Sequence, residues 1–330
     1  MNRLLVCAAL LTSISADTTS RAAEAPKLVV VVVIDQMRRS EIDRLGPHFT
    51  GGLRRALNEG ARLDGHYGQQ STYTGPGHAL ILSGSYGYLN GIFQNNWFNR
   101  ATGRSESMLF DEQAQVINQG PVDPDKDSSP RNFYGSTVGD ELRMSNGGKS
   151  RVVAVAIKER GALLLGGRNG TAYFFNDLNG DWTTSTYYMN VLPDWLVAFN
   201  AKRLADQWFG KEWTRCLPEA VYGPEPDNAP WEADQLGLGR VFPHKITGGE
   251  QKPTGKYWKA FTNSAFAIDH TFEFARAAVE GEGLGQDEIT DVLAISVSPT
   301  DFAGHAFGAY SHEVRDSFLR TDRALGEFFT

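Results

Sequence analysis

Three short runs of the chain are apolar at nearly every position: Lys27 to Ile34 (KLVVVVVI), Arg151 to Ile157 (RVVAVAI) and Asp291 to Val297 (DVLAISV). A strand with one wet face alternates apolar and polar residues. A continuous β-branched run has no wet face, so each run predicts a parallel strand buried on both sides. Between them, Phe49 to Gly60 and Thr262 to Val279 place apolar residues three and four apart, the spacing of a helix with one buried face. Strands separated by helical segments predict an α/β fold: a doubly wound, mostly parallel sheet with helices on both faces. The stretches 92–150 and 176–260 are less regular. All seven tryptophans lie between Trp97 and Trp258, among turn signals such as Asp123-Pro124, Gly147-Gly148 and Asp227-Asn228-Ala229-Pro230. These stretches read either as aromatic-rich cap insertions over the sheet edge or as a second structural layer without a ligand. The rest of residues 26–330 reads as one domain, with no internal repeat and no low-complexity run.

The two ends change this picture. Asn2-Arg3, the apolar run Leu4 to Ile14 and Ala23-Glu24-Ala25 have the order of a secretory signal peptide spanning residues 1–25. The run is too short to span a bilayer. A periplasmic or secreted location is therefore expected. Cys7 falls in the apolar run, which leaves Cys216 alone and unable to form an internal disulfide. At the other end, Val314, Phe318, Leu325 and Phe328-Phe329 form a helical apolar stripe that continues to the last residues without a C-cap glycine or a polar tail. That stripe reads as a chain cut short. The net charge of −7 over 330 residues leaves no electrostatic footprint for nucleic acid or an anionic membrane.

Candidate chemistry sits where the strands end. The first run is followed by Asp35, the second by Lys158 and Arg160, and the third by Ser298 and Asp301. Open α/β sheets bind ligands at the carboxyl ends of their strands, so three strands deliver polar groups to one edge. Asp301 and His305 form a D-x-x-x-H pair, which on a helix shares one face and suits a zinc ion, or else is an ordinary solvated pair. In QQSTYTGPGHALILSGS, Pro76 suits the first turn of a helix. Thr74 then stands at the helix N-terminus, where the dipole favours an anion. It is either a helix cap or a nucleophile, and the second role needs something such as a metal ion to lower its hydroxyl pKa.

Taken together, VVVVVIDQMR, TYTGPGHALILSGSYGYLNGI, NNW, AIKERGA and SPTDFAGHAFG resemble, in this order, the alkaline phosphatase superfamily. The chain is similar to its type I phosphodiesterase/nucleotide pyrophosphatase branch, and within it to the bacterial secreted alkaline phosphatases that use threonine as nucleophile. The resemblance runs from Lys27 to about Arg323. It implies two zinc ions, with Asp35 and Thr74 on one and Asp301 and His305 on the other. Thr74 becomes the phosphorylated nucleophile, and the Asn95 amide binds a phosphate oxygen. Lys158 and Arg160 are the cationic pair of the monoesterase subgroup. The implied activity is hydrolysis of small phosphate monoesters through a covalent phosphothreonine, by a protein monomeric at full length.

The family pattern continues past this chain with an Asp-His doublet and a further histidine that complete the two zinc sites. A chain ending at Thr330 is thus expected to have little activity and an uncovered sheet edge. The only Asp-His doublet present, Asp269-His270, lies in a helical pattern and is expected on a helix surface, as is His312 on the protein surface. His78 is expected to pack or hydrogen-bond. Two other readings remain open: a phosphodiesterase or nucleotide pyrophosphatase of the same fold, and a non-catalytic secreted binding protein. A sulfatase is disfavoured, because no C-x-P-S-R or C-x-A-x-R stretch occurs.

Overall fold

The computed structural model describes residues 24–118, 126, 128–234 and 236–330. The leader reading and Cys7 therefore lie outside the described residues, apart from Glu24 and Ala25. The strands are β1 (Leu28–Ile34), β2 (Asn96–Asn99), β3 (Arg104–Ser107), β4 (Val152–Ala156), β5 (Thr171–Asn176), β6 (Asp181–Thr183), β7 (Glu212–Trp213), β8 (His244–Lys245) and β9 (Asp291–Val297). The helices of the first half are α1 (Arg39–Leu45), α2 (Gly52–Glu59), α3 (Thr74–Ser83), α4 (Gly87–Asn90), α5 (Val138–Ser145) and α6 (Glu159–Gly166). Those of the second half are α7 (Asp194–Ala201), α8 (Gly255–Thr262), α9 (Phe266–Glu282), α10 (Pro299–Phe307) and α11 (His312–Phe328).

The main sheet runs β1-β9-β4-β5-β6. Its first four strands are parallel and β6 is antiparallel to β5. β4 and β9 are buried at every position, as their uninterrupted apolar runs require. β1 departs from the expectation of full burial. It is the sheet's edge among the described residues and is only half-buried, with Val29 37% exposed. β5 and β6 extend the sheet where no strand was expected, and β6 lies inside the stretch read as the second insertion. The pairs β2–β3 and β7–β8 form two small separate sheets.

The register aligns the carboxyl ends. Ile34 pairs with Val297, Ser296 with Ala156, and Ala156 with Phe174. Residues just beyond these positions therefore emerge as one row: Asp35, Ser298, Lys158 and Asn176. One face of the sheet packs Val153, Val155, Tyr173, Phe175, Leu293 and Ile295 into the main core, where Trp182 stacks on Phe274 of α9 with ring centroids 3.9 Å apart. The other face carries the small residues Ala154, Ala156, Ala172 and Ala294 against α6 and α3. Small side chains there let α3 lie close to the sheet and bring its N-terminus to the row of strand ends. The apolar stripe of α11 is buried, with Val314 at 1% and Phe318 at 0% exposure, whereas Phe329 is 41% exposed.

Two histidines expected at the surface are in the core. His270 is 2% exposed, because the α9 face that carries it packs on the tryptophan-rich layer; its Nε2 accepts from the Trp182 indole at 2.9 Å. His312 is 1% exposed in the first turn of α11, where its Nε2 donates to the Glu225 carbonyl and its Nδ1 accepts from Arg215. His270 is thus a core residue, its ring centroid 5.8 Å from that of Phe175. Burial raises the Asp269 carboxyl to about 6, with Arg320 opposing. Its folded pKa lies above the unfolded value near 4. The stability contributed by that bound proton is full below about pH 4 and is lost as pH rises through 6. Asp269→Asn should thus raise the melting temperature at pH 8, by a stabilisation on the order of 2 kcal/mol, and leave it unchanged at pH 4.

Candidate active site

Thr74 is the first residue of α3, and the extended Tyr73 precedes it. The helix-cap role does not hold. Tyr73 occupies the cap position, and the Thr74 hydroxyl lies 3.4 Å from Asp35 Oδ2 and 3.4 Å from Lys158 Nζ. Asp35 follows β1, and its own carbonyl accepts from the Thr300 hydroxyl at 2.6 Å, which ties the β1 turn to α10. Lys158 Nζ also lies 3.1 Å from Asp35 Oδ2 and contacts Asp301 Oδ2. Both carboxylates and the lysine are nearly buried, so the ammonium is the charge that balances the two acids.

Asp301 and His305 lie one turn apart on α10, with His305 Nε2 3.4 Å from Asp301 Oδ2. The imidazole is 72% exposed at the cavity mouth. Asn95 reaches α3 from the loop before β2, and its Oδ1 accepts from the Gly75 N–H at 2.9 Å. Its amide N–H donors make no bond among the described residues. A Cβ at position 75 would lie 2.0 Å from the Met108 methyl and 3.0 Å from Asn95 Oδ1, so a larger residue there would have to displace the Met108 side chain. His78 is 2% exposed and bridges helix and sheet. Its Nδ1–H donates to the Thr74 carbonyl at 2.8 Å, and its Nε2 accepts from the Ser296 hydroxyl of β9 at 2.8 Å. Burial lowers its pKa, so it stays neutral and acts as a brace for the start of α3.

These residues line one cavity of about 340 Å³, shared by Thr74, Asn95, Lys158, Arg160, Asp301 and His305. A second hollow of about 340 Å³ opens on the other side of Asp35 and Thr74, beside the β1 edge. All seven residues singled out from the sequence thus border the same region. The sequence reading missed Phe174, Phe175, Asn176 and Asp177, which line the first cavity from the end of β5. Their signal was the run TAYFFND, a short β-branched and aromatic segment between turn residues. Among the described residues, no three His, Cys, Asp or Glu side chains are arranged to hold a metal ion.

The sequence model for type I phosphodiesterase/nucleotide pyrophosphatase matches residues 29–330. The chain belongs to this family. Among curated relatives of this type I phosphodiesterase/nucleotide pyrophosphatase chain, alkaline phosphatase PhoV of Synechococcus elongatus is 37% identical over 313 residues, covering 92% of this chain and 55% of PhoV. Alkaline phosphatase PafA of Elizabethkingia meningoseptica is 35% identical over 322 residues, covering 92% of this chain and 56% of PafA. The crystal structure of wild-type PafA superposes with a TM-score of 0.85 at 35% identity, covering 93% of this chain and 59% of that one. A solved PafA variant, at a TM-score of 0.86, carries substitutions at a threonine, an asparagine, a lysine and an arginine, the last two separated by one residue. The chain spans just over half the length of these curated relatives. No helix among the described residues is long and apolar enough to cross a membrane.

Proposed function

We propose that the protein is a phosphate monoester hydrolase of the alkaline phosphatase type, with Thr74 as a nucleophile that becomes phosphorylated. The observation that carries this reading is the placement of the Thr74 hydroxyl at a helix N-terminus, within 3.4 Å of a carboxylate and an ammonium, in a cavity that also holds Asn95 and Arg160. Residue types agree as well. The threonine, asparagine, lysine and arginine substituted in the PafA variant occur here, in the same chain order and with the same spacing of the last two, as Thr74, Asn95, Lys158 and Arg160.

The donors suit zinc in kind. Asp35 and Thr74 would hold one ion, and Asp301 and His305 the other, with oxygen and nitrogen ligands that zinc accepts. Their crowding of negative charge around one buried cation is the electrostatic setting that a metal cation satisfies. Two protein donors per ion fall short of the usual three or four. When bound, such ions lower the pKa of an oxygen nucleophile and offset charge on the departing oxygen. The chain's own groups do the rest. His78 and Ser296 hold the Thr74 backbone in place. Asn95 and Arg160, together with Lys158, offer N–H donors to the oxygens of the transferred phosphoryl group, whose charge near −2 they balance. The leader-like residues 1–25 support secretion.

Metal exchange tests this reading. Prolonged chelation of the protein at its natural length should abolish hydrolysis of p-nitrophenyl phosphate, and zinc should restore it. Restoration by magnesium alone would sink the zinc assignment, and unchanged turnover after verified metal removal would sink the mechanism.

A further inference from the structure

Helix α10 carries two adjoining stripes. Asp301 and His305, one turn apart, border the cavity. Thr300 and Gly304, also one turn apart and each one residue ahead of a site residue, border the turn that follows β1. Thr300 is fully buried, and its Oγ1 lies 2.6 Å from the Asp35 carbonyl and 2.9 Å from the Val297 carbonyl at the end of β9. The Asp35 N–H donates to that same Val297 carbonyl at 3.2 Å. Both backbone polar groups of Asp35 are therefore tied to the segment that runs from β9 into α10.

Gly304 meets the next residue of the turn. Glycine weakens a helix interior, yet Gly304 stands buried within α10. A Cβ there would overlap the Gln36 side-chain amide and lie 2.6 Å from its Cδ, so the amide fills the space that the missing side chain leaves. Gln36 has a φ of +63°, a conformation uncommon outside glycine. Its Oε1 is sealed from solvent and has no hydrogen-bond partner among the described residues, so its contact with α10 is steric. Such a residue persists where its surroundings fix it, and Gln36 adjoins a candidate metal donor.

We propose that Thr300, Gly304 and Gln36 form a clamp of positioning residues that sets the spacing between Asp35 and the Asp301–His305 pair, and with it the fit of the two donor pairs to their ions. The inference rests on the zinc phosphatase reading and adds to it the residues that hold the donors in register.

The test measures zinc retention against a chromophoric chelator by the metal-loaded protein at its natural length, beside kcat for p-nitrophenyl phosphate and the melting temperature. Thr300→Val keeps the shape and removes the hydroxyl. It should weaken zinc binding and lower kcat about tenfold each, the scale of losing a partner that orients a metal ligand. Thr300→Ser brings the hydroxyl back and should return both to within threefold of the parent. Gly304→Ala has to displace the Gln36 amide and should weaken zinc binding to a similar degree, although alanine is the better helix former. Adding Gln36→Gly, which makes room and accepts a positive φ, should restore it. The two pairs report independently, so if one variant fails to fold the other pair decides. Zinc retention and kcat within threefold of the parent in Thr300→Val and Gly304→Ala, with only the melting temperature lowered, overturn the clamp and leave the phosphatase reading standing. A loss in Gly304→Ala that Gln36→Gly does not relieve overturns the part assigned to Gln36. Failure of the parent protein to bind zinc overturns the zinc reading and the clamp with it.

Discussion

Thr74→Ala will lower turnover of phosphate monoesters by about 10⁴-fold or more, since removal of a nucleophile eliminates the covalent route and leaves only binding and electrostatics. The fold should tolerate the change. Thr74 is partly accessible, its hydroxyl makes only the two long contacts to Asp35 and Lys158 among the described residues, and the cap position belongs to Tyr73. An unchanged melting temperature with lost activity is the expected pair of results. Thr74→Ser keeps the oxygen and should retain activity within about a hundredfold. Acid quenching of the parent with labelled substrate should trap phosphate on Thr74, and none should be trapped on the alanine variant. Alanine at 74 with activity within tenfold of the parent would mean that another group attacks phosphorus.

Lys158→Ala and Arg160→Ala will each cost about 10²-fold in kcat/KM for a monoester, the scale of one donor lost from a site where charge develops. A diester carries one charge fewer on the transferred group. Its hydrolysis should therefore fall by less than tenfold in the same variants. This difference separates a monoesterase from the phosphodiesterases and pyrophosphatases of the family. Equal losses on the two substrates would favour the diesterase reading. Lys158→Ala has a second consequence that Arg160→Ala lacks. It removes the cation between Asp35 and Asp301, so the protein should lose stability at neutral pH unless metal is bound. The melting temperature of Lys158→Ala with and without zinc distinguishes the two roles of that side chain.

Much of the sheet was legible in the sequence because burial on both faces demands uninterrupted apolar runs. β4 and β9 announced themselves in this way. β1 has the same composition but sits at the edge among the described residues, and composition does not encode which neighbour a strand receives. β5 and β6 were missed for another reason. TAYFFN mixes aromatic and polar residues over six positions, and β6 has only three, too few for periodicity to register. The miss bears on the site, since Asn176 and Asp177 line the first cavity from the end of β5. His270 and His312 were misjudged because a histidine on a helix shows no sign of which layer will cover it.

The sequence by itself determined the α/β class, the strand ends that carry Asp35, Lys158 and Asp301, and the helix start that carries Thr74. These follow from local rules: burial sets strand composition, and proline with glycine sets where α3 begins. Tertiary structure alone decided what those groups meet. Lys158 reaches Asp35 across 123 residues and Asp301 across 143, and His78 finds Ser296 across 218. No periodicity links positions so far apart. They meet because the parallel register brings four strand ends level, and because small residues on one sheet face let α3 settle close enough for its first residue to join them.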